Sequence, residues 1–438
     1  MLGNLLHARP VTDPAALEVA RVRRSIAAHA PADSDRGLID QLDELERLKA
    51  AVAATQARIT DHLDRRRAAA REARELLGDE EPRRPHPDAG LGREIGLARR
   101  ESPHEGRRFL GLARALLHDL PHTLAALTCG DLNERRARII ADETSDLTRE
   151  QRAEVDAALA AGLAGPGGGF DGLGDADLRD AVRREVLRRD EEGFLDRQTR
   201  ARSRRRVTGR ILGDGVARLT AVIPTEQYST IIRSLDDAAA SAVQQGDERT
   251  RGQLVTDIFV ERLGGPQTDA PAPAAIKLLV SAETLLGDDS EPGYVIGAGY
   301  VPASVARSIA AQGVEHLRST LQRVFFDPAT GRLITMESAS ALFRGELAEF
   351  LTLRDRRCRT PYCSAPIRQR DHVRPRARGG RTDRDNGQGL CEACNYAKEA
   401  RGWAAEPVPD SLAVTEIDVT TPTGHRHRSR APDPPIAS

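Results

Sequence analysis

The sequence predicts a mainly α N-terminal domain with a small β-hairpin, followed by a small C-terminal α+β domain. Three observations carry this. Aromatic residues make up only 3% of the 438 residues, so cores must be built from Leu, Val, Ile and Ala, which favours helices over an aromatic-rich sandwich. Apolar residues recur at spacings of three and four from about residue 15 to 265, the period of an amphipathic helix. Finally, residues 264–275 (GGPQTDAPAPAA) form a Pro/Gly/Ala linker, the first boundary, and beyond it lie two tight pairs of cysteines.

The helical elements follow in order. Leu42, Leu45, Leu48, Val52 and Ile59 mark one face of a long helix, with charged residues between them. Residues 110–120 (LGLARALLHDL) repeat the pattern and stop at Pro121. Asn133 is placed to cap a helix running to Thr144, and Thr148 followed by Gln151 has the spacing of a capping box. Residues 162–174 (GLAGPGGGFDGLG) read as a flexible loop. One element is not helical: Val207–Leu212 and Val216–Ile223 flank Gly213-Asp214-Gly215, the signature of a hairpin. A helix of about four turns is expected from Thr225, and another from about Glu248 to Leu263.

A small mixed segment comes next, with a strand at Ile276–Val280, a helix at Pro302–Ala311 and a hairpin at Val324–Met336 around Asp327-Pro328-Ala329-Thr330-Gly331. The predicted organisation is a helical domain over residues 1–265, a linker and mixed segment over 266–353, a compact domain over 354–403, and a tail over 404–438. The tail is expected to be partly disordered or to form a hairpin around Pro422-Thr423-Gly424.

Charge and composition exclude several classes. With 65 basic and 66 acidic residues the formal net charge is −1, so the chain as a whole is not a basic nucleic-acid coat. No stretch approaches the roughly 18 to 20 apolar residues of a membrane span, and the N-terminus lacks the layout of a signal peptide. The expectation is a soluble cytoplasmic protein. The helical half carries no P-loop, cofactor fingerprint or evident nucleophile; Cys129 reads as a small core residue.

The chemistry is concentrated near the C-terminus. Cys358-x4-Cys363 and Cys391-x2-Cys394 let each pair close on one ion, and four thiolates match tetrahedral zinc at a closed, structural site. In a reducing compartment such pairs suggest metal rather than disulfides. The 27 residues between the pairs bury little apolar surface alone, so the metal is expected to supply much of their folding energy. Inside this loop lie Asp371-His372 and Asn386; Asn395 directly follows the last cysteine, and Lys398 stands three positions on.

Over residues 354 to 403, this pattern of C-x4-C, DH, N and C-x2-C-N-x2-K resembles the HNH, or ββα-metal, endonucleases. The resemblance implies two β arms within residues 366–390 and a helix over about 391–401. It implies a magnesium- or manganese-dependent hydrolysis of DNA leaving 5′-phosphate and 3′-hydroxyl ends. His372 would take the proton of the attacking water, and Asn386 would help hold it, directly or through backbone. Asp371 and Asn395 would bind the catalytic cation. Adjacent strand residues point to opposite sides, so Asp371 and His372 can share a site only if the strand bends or ends there.

Between residues 354 and 384 eleven Arg face three Asp. With Arg370, Arg374, Arg376, Arg378 and Lys398 beside the motif, this suggests DNA contact; an ordinary solvated surface is the alternative. Asn395 departs from the commoner His at the last motif position, so little activity is expected with zinc or nickel. The rival reading is a catalytically inactive, zinc-containing DNA-binding or regulatory protein. Two-strand cutting by one such site would call for two subunits, so a homodimer is one possible arrangement.

The helical half is similar to the DUF222 domain that precedes HNH modules in many actinobacterial proteins, including the 13E12 repeat family. The matching features are the Leu-Pro-His-Thr-Leu stretch from Leu120, the Arg-Arg-Ala-Arg-Ile-Ile run from Arg135, the hairpin before the 225 helix, and Gly246-Asp247-Glu248-Arg249-Thr250.

Overall fold

The computed structural model describes residues 13–77, 88–162, 173–213, 216–264, 278–287, 289–296, 299–315, 343–408 and 416–432. The elements in chain order are α1 (Pro14–Ala27), α2 (Asp35–Leu76), α3 (Asp88–Arg99), α4 (Pro103–His118), α5 (Pro121–Cys129), α6 (Glu134–Glu143), α7 (Arg149–Gly162), α8 (Asp175–Arg189), α9 (Glu191–Ser203), β1 (Arg206–Gly213), β2 (Val216–Val222), α10 (Thr225–Gln244) and α11 (Arg251–Gly264). Then follow β3 (Leu278–Leu279), α12 (Ala282–Leu286), β4 (Gly293–Val295), β5 (Gly299–Val301), α13 (Ala303–Glu315), α14 (Gly345–Asp355), β6 (Gln369–His372), β7 (Gly387–Leu390), α15 (Glu392–Ala397), β8 (Ala404–Pro407), β9 (Glu416–Thr420) and β10 (Arg426–Arg430). The mainly α N-terminal half and the α+β C-terminal part are thus both present. The linker at 265–275, the Val324–Met336 hairpin and most of the 162–174 loop lie outside the described residues.

Two compact units can be separated. One holds residues 1–62 and 112–189, the other 63–111 and 190–438. In the first, α5 to α8 enclose Leu127, Ile140, Val155, Leu178 and Val182. Their ends are set locally. Asn133 accepts from the Arg136 N–H at 3.0 Å, and Thr148 and Gln151 exchange the two bonds of a capping box. Pro121 opens α5 at its first turn, where its missing N–H is no loss. The other orphan donors of that turn are met from α7: the buried Asp156 accepts from His122 N at 2.6 Å, Thr123 N at 3.1 Å and Thr123 Oγ1 at 2.5 Å. Burial pushes the Asp156 carboxyl up, and these bonds counter it only in part.

Two sequence expectations are corrected here. The helix through residues 42–59 exists, but the face marked by its large apolar residues is not the buried one: Leu42 is 62% and Ile59 61% exposed. Ala50, Ala53, Ala54 and Ala57 are buried instead. Cys129 is exposed, not core. Thr123 and Leu127 face inward on α5, and two residues on from Leu127 the helix has turned by more than half a circle.

In the second unit, β1 and β2 form the expected antiparallel hairpin, and α10 packs on α11. A three-stranded antiparallel sheet β3-β4-β5 carries α12 and α13 nearby. The tail adds β9 and β10, paired antiparallel with β8 in the order β10-β9-β8, with Gly424 at positive φ in the turn. Leu97 of α3, Val373, Trp403, Ile417 and Val419 share one core, so the tail sheet, the C-terminal domain and α3 are packed together. No helix among the described residues is long and apolar enough to cross a membrane.

Asp156→Ala should leave the buried donors at the start of α5 unmet. The expected cost is about 3 kcal/mol, read from urea unfolding, whereas a surface substitution such as Glu150→Ala should cost well under 1 kcal/mol.

Candidate active site and metal centre

The C-terminal domain is organised by two ionic centres. The first is Asp355, at the end of α14, whose side chain is 0% exposed. It takes Arg354 Nε at 2.7 Å, Arg359 Nη1 at 2.9 Å and the backbone N–H of Gly389 on β7 at 2.6 Å. Burial would raise this carboxyl; the Arg354 and Arg359 guanidiniums outweigh it and hold it below the usual carboxylate range. Arg354 also donates to the carbonyls of Arg384 and Gly387, and Arg359 to Ser429 on β10. Gly387 lets β7 lie directly on α14, since a Cβ there would meet Leu351 and Phe343 at 2.7 and 2.8 Å.

The second centre is the four cysteines. Cys358 and Cys394 are buried, Cys363 and Cys391 half-buried, and their four Sγ atoms all lie within 4.8 Å of one another. Cys363 Sγ stands 3.9 Å from Cys391 Sγ and 3.7 Å from Cys394 Sγ. Tetrahedral zinc with Zn–S bonds of about 2.3 Å requires sulfurs roughly 3.8 Å apart, so the cluster fits a four-coordinate site closed to further ligands.

Between the centres, β6 and β7 pair antiparallel, Asp371 opposite Gln388 and His372 opposite Gly387. His372 is the last residue of β6 and is buried. Its Nε2 lies 2.9 Å from Thr382 Oγ1, and its ring packs on Phe343 with centroids 4.7 Å apart. Because the strand ends there, the Asp371 carboxylate folds back. Its Oδ1 accepts from the His372 N–H at 2.7 Å and stands 3.7 Å from Nδ1. The two adjacent side chains therefore converge despite strand alternation. Burial lowers the His372 pKa more than Asp371 raises it, with Lys398 also lowering it, which favours the uncharged ring.

Asn386 does not meet the His372 ring in any described bond. Its Oδ1 accepts from Arg374 N, and its Nδ2 donates to the carbonyls of Arg374 and Arg381. It ties the two ends of the loop after His372 together, and that loop carries Thr382. Asn395, on α15, has a buried Oδ1 with no hydrogen-bond partner among the described residues, an oxygen donor left open. Lys398, expected from the sequence to reach DNA, is instead engaged: its Nζ lies 2.5 Å from Asp371 Oδ2 and 3.1 Å from the His372 carbonyl. The helix carrying Asn395 is also shorter than expected, ending at Ala397.

Arg374, Arg376 and Arg378 are exposed on the loop after His372, and Arg370 on β6. Arg374 pairs with Glu406, Arg376 donates to Thr382 Oγ1 at 3.2 Å, and Arg370 to Thr352. A cleft of about 160 Å³ beside them is lined by Arg378, Lys398 and Arg401 over Val373 and Trp403. Thr382, Phe343 and the Asp355 cluster were not singled out from the sequence. Only the Arg354–Asp355 adjacency gave any local signal.

Two short strands and a helix, closed by four cysteines around an Asp-His pair, define an HNH-type ββα-metal module. Residues 358–401 match the HNH endonuclease family. Residues 39–355, well over half of the chain, match the family described as Domain of unknown function (DUF222), and the chain belongs to it. No curated protein matches the chain, and no solved structure does.

If Thr382 fixes the imidazole, ¹⁵N spectra of wild type should show His372 as one tautomer protonated on Nε2. Thr382→Val should turn this into a mixture with zinc content unchanged; an unaltered spectrum would remove Thr382 from that role.

Proposed function

We propose that this chain is a metal-dependent endonuclease that hydrolyses DNA phosphodiester bonds with His372 as general base. The observation that carries the reading is the buried His372 held beside Asp371. Thr382 Oγ1 receives an N–H from Arg376, and its second lone pair is assigned to His372 Nε2–H. That leaves Nδ1 as the free base, on the side of Asp371, where a water attacking phosphorus can lose its proton. Asn386 is then a positioning residue acting through the loop.

The closed four-cysteine site takes zinc with a structural role. A second, hard divalent ion, magnesium or manganese, would be held by the Asp371 carboxylate and the open Asn395 Oδ1; when bound it offsets charge building on the phosphate and leaving oxygen. Lys398 neutralises Asp371 in the arrangement described, so it must give way there for such an ion. The exposed Arg370, Arg374, Arg376 and Arg378 and the basic cleft supply phosphate contacts, which makes binding steeply salt-dependent. The division into residues 1–265, 266–353, 354–403 and 404–438 belongs to the same proposal, with the first part as scaffold or DNA-positioning module.

The second reading, a zinc-containing DNA-binding protein without cleavage, draws on one observation: the Lys398 ammonium sits on the carboxylate that a catalytic cation needs. Supercoiled-plasmid nicking separates the two. Wild type should nick with magnesium or manganese and not in EDTA, while His372→Ala at matched zinc content should lose at least a hundredfold in rate and keep its DNA affinity. Zinc-loaded wild type that binds but never cuts duplex, single-stranded or branched DNA would establish the second reading.

Removal of zinc is a separate test. A strong chelator should cost residues 358–401 their amide protection while α5 to α8 keep theirs, since only the former lack an apolar core of their own.

A further inference from the structure

Arg93, within the DUF222-matched part of the chain, is a buried cation that makes no ion pair among the described residues. Its residue is 3% exposed, and its guanidinium lies over the Trp403 ring, 4.3 Å from the centroid. Its Nε and Nη1 are buried with no hydrogen-bond partner among the described residues. The neighbouring Glu94 is otherwise engaged: one oxygen takes Arg67 Nη2 at 3.2 Å, and the other takes Thr423. A ring face offsets part of the loss of solvation, but a buried charge without an opposite charge is strongly unfavourable.

The surroundings supply the missing charge. Arg93 stands on α3, which packs on α15, the helix that carries Cys394. Gly90 on the same helix lies so close to Ala400 and Trp403 that a Cβ would meet them at 2.9 and 3.2 Å. Leu97 completes the contact in the core shared with Val373 and Trp403. Burial lowers the Arg93 pKa, and thiolates at the four cysteine positions, Cys394 foremost, would oppose this. Four thiolates around one zinc ion carry a net charge of −2, which the closed site cannot share with a further ligand.

We propose that Arg93 is the internal counter-cation of the zinc–tetrathiolate centre, so that α3 docks firmly on the nuclease module only when the metal is loaded. This rests on the zinc reading above. The buried arginine and the buried centre each lack charge balance alone and gain it together. The DUF222 part of the chain would thus sense the metal state of the HNH domain through one side chain.

The test uses the full-length chain with Arg93→Lys, Arg93→Gln and Arg93→Met. Zinc affinity is measured by competition with a chromophoric chelator, and docking by amide exchange over residues 88–99 with and without zinc. The proposal expects affinity to follow charge. Wild type and Arg93→Lys should bind alike, and the Gln and Met variants roughly tenfold to a hundredfold more weakly, the range for partners that support a metal site. Zinc should also protect α3 in wild type and not in the Met variant. Equal zinc affinity across the variants would overturn the proposal and leave Arg93 a packing residue on Trp403. So would an order in which Met outperforms Lys. If the Met variant does not fold, the Lys–Gln comparison decides by the same order. Wild type that binds no zinc would sink the zinc reading itself, and this inference with it.

Discussion

The segment from Arg354 to Trp403 is too short to fold on apolar burial, and that constraint governs the rest of the C-terminal domain. Its strands have four residues each and its helix six. What replaces a core is charge placed inside: the four-cysteine cluster, and Asp355 with two arginines. Asp355 bonds the backbone of β7 directly, and through Arg359 it reaches the last strand of the tail sheet. Buried ionic groups of this kind stabilise little on balance, but removing one partner is severe, so they fix one arrangement of an otherwise loose segment.

The site inherits its geometry from that frame. Because β6 ends at His372, the carboxylate of Asp371 can return over the strand end and meet the ring. Because Asn386 ties the backbone at Arg374 to that at Arg381, the loop between them is short and held, and Thr382 is delivered to the imidazole. Residues far apart in role thus act in sequence: ionic frame, strand end, tied loop, oriented ring. Lys398 belongs to the same electrostatic system. It pairs with the Asp371 carboxylate and bonds the backbone of His372.

The packing of α3 on this module changes what the DUF222 match means physically. A helix from the matched region shares a core with Trp403 and the tail strands and lays its buried Arg93 on the Trp403 ring. The nuclease-like segment therefore shares its apolar surface with α3.

Much of this was legible in the sequence for reasons of short range. Cysteine spacing, the Asp-His pair, Asn395 after the last cysteine, the caps at Asn133 and Thr148, and the hairpin around Gly213 are all set by residues within a few positions of each other, where bond geometry leaves few choices. What the sequence could not decide was which of several chemically adequate faces or partners would be used. The apolar spacing of α2 marked a helix correctly but not its buried face, which carries four alanines. Lys398 had the charge to bind phosphate, yet the fold set Asp371 beside it. Thr382, Phe343 and Arg93 carry no local signal at all. They matter only because tertiary structure brings Thr382 and Phe343, 10 and 29 residues away, to His372, and Arg93, 310 residues away, to Trp403. Contacts of that range are decided by how the elements pack, and the sequence alone does not state it.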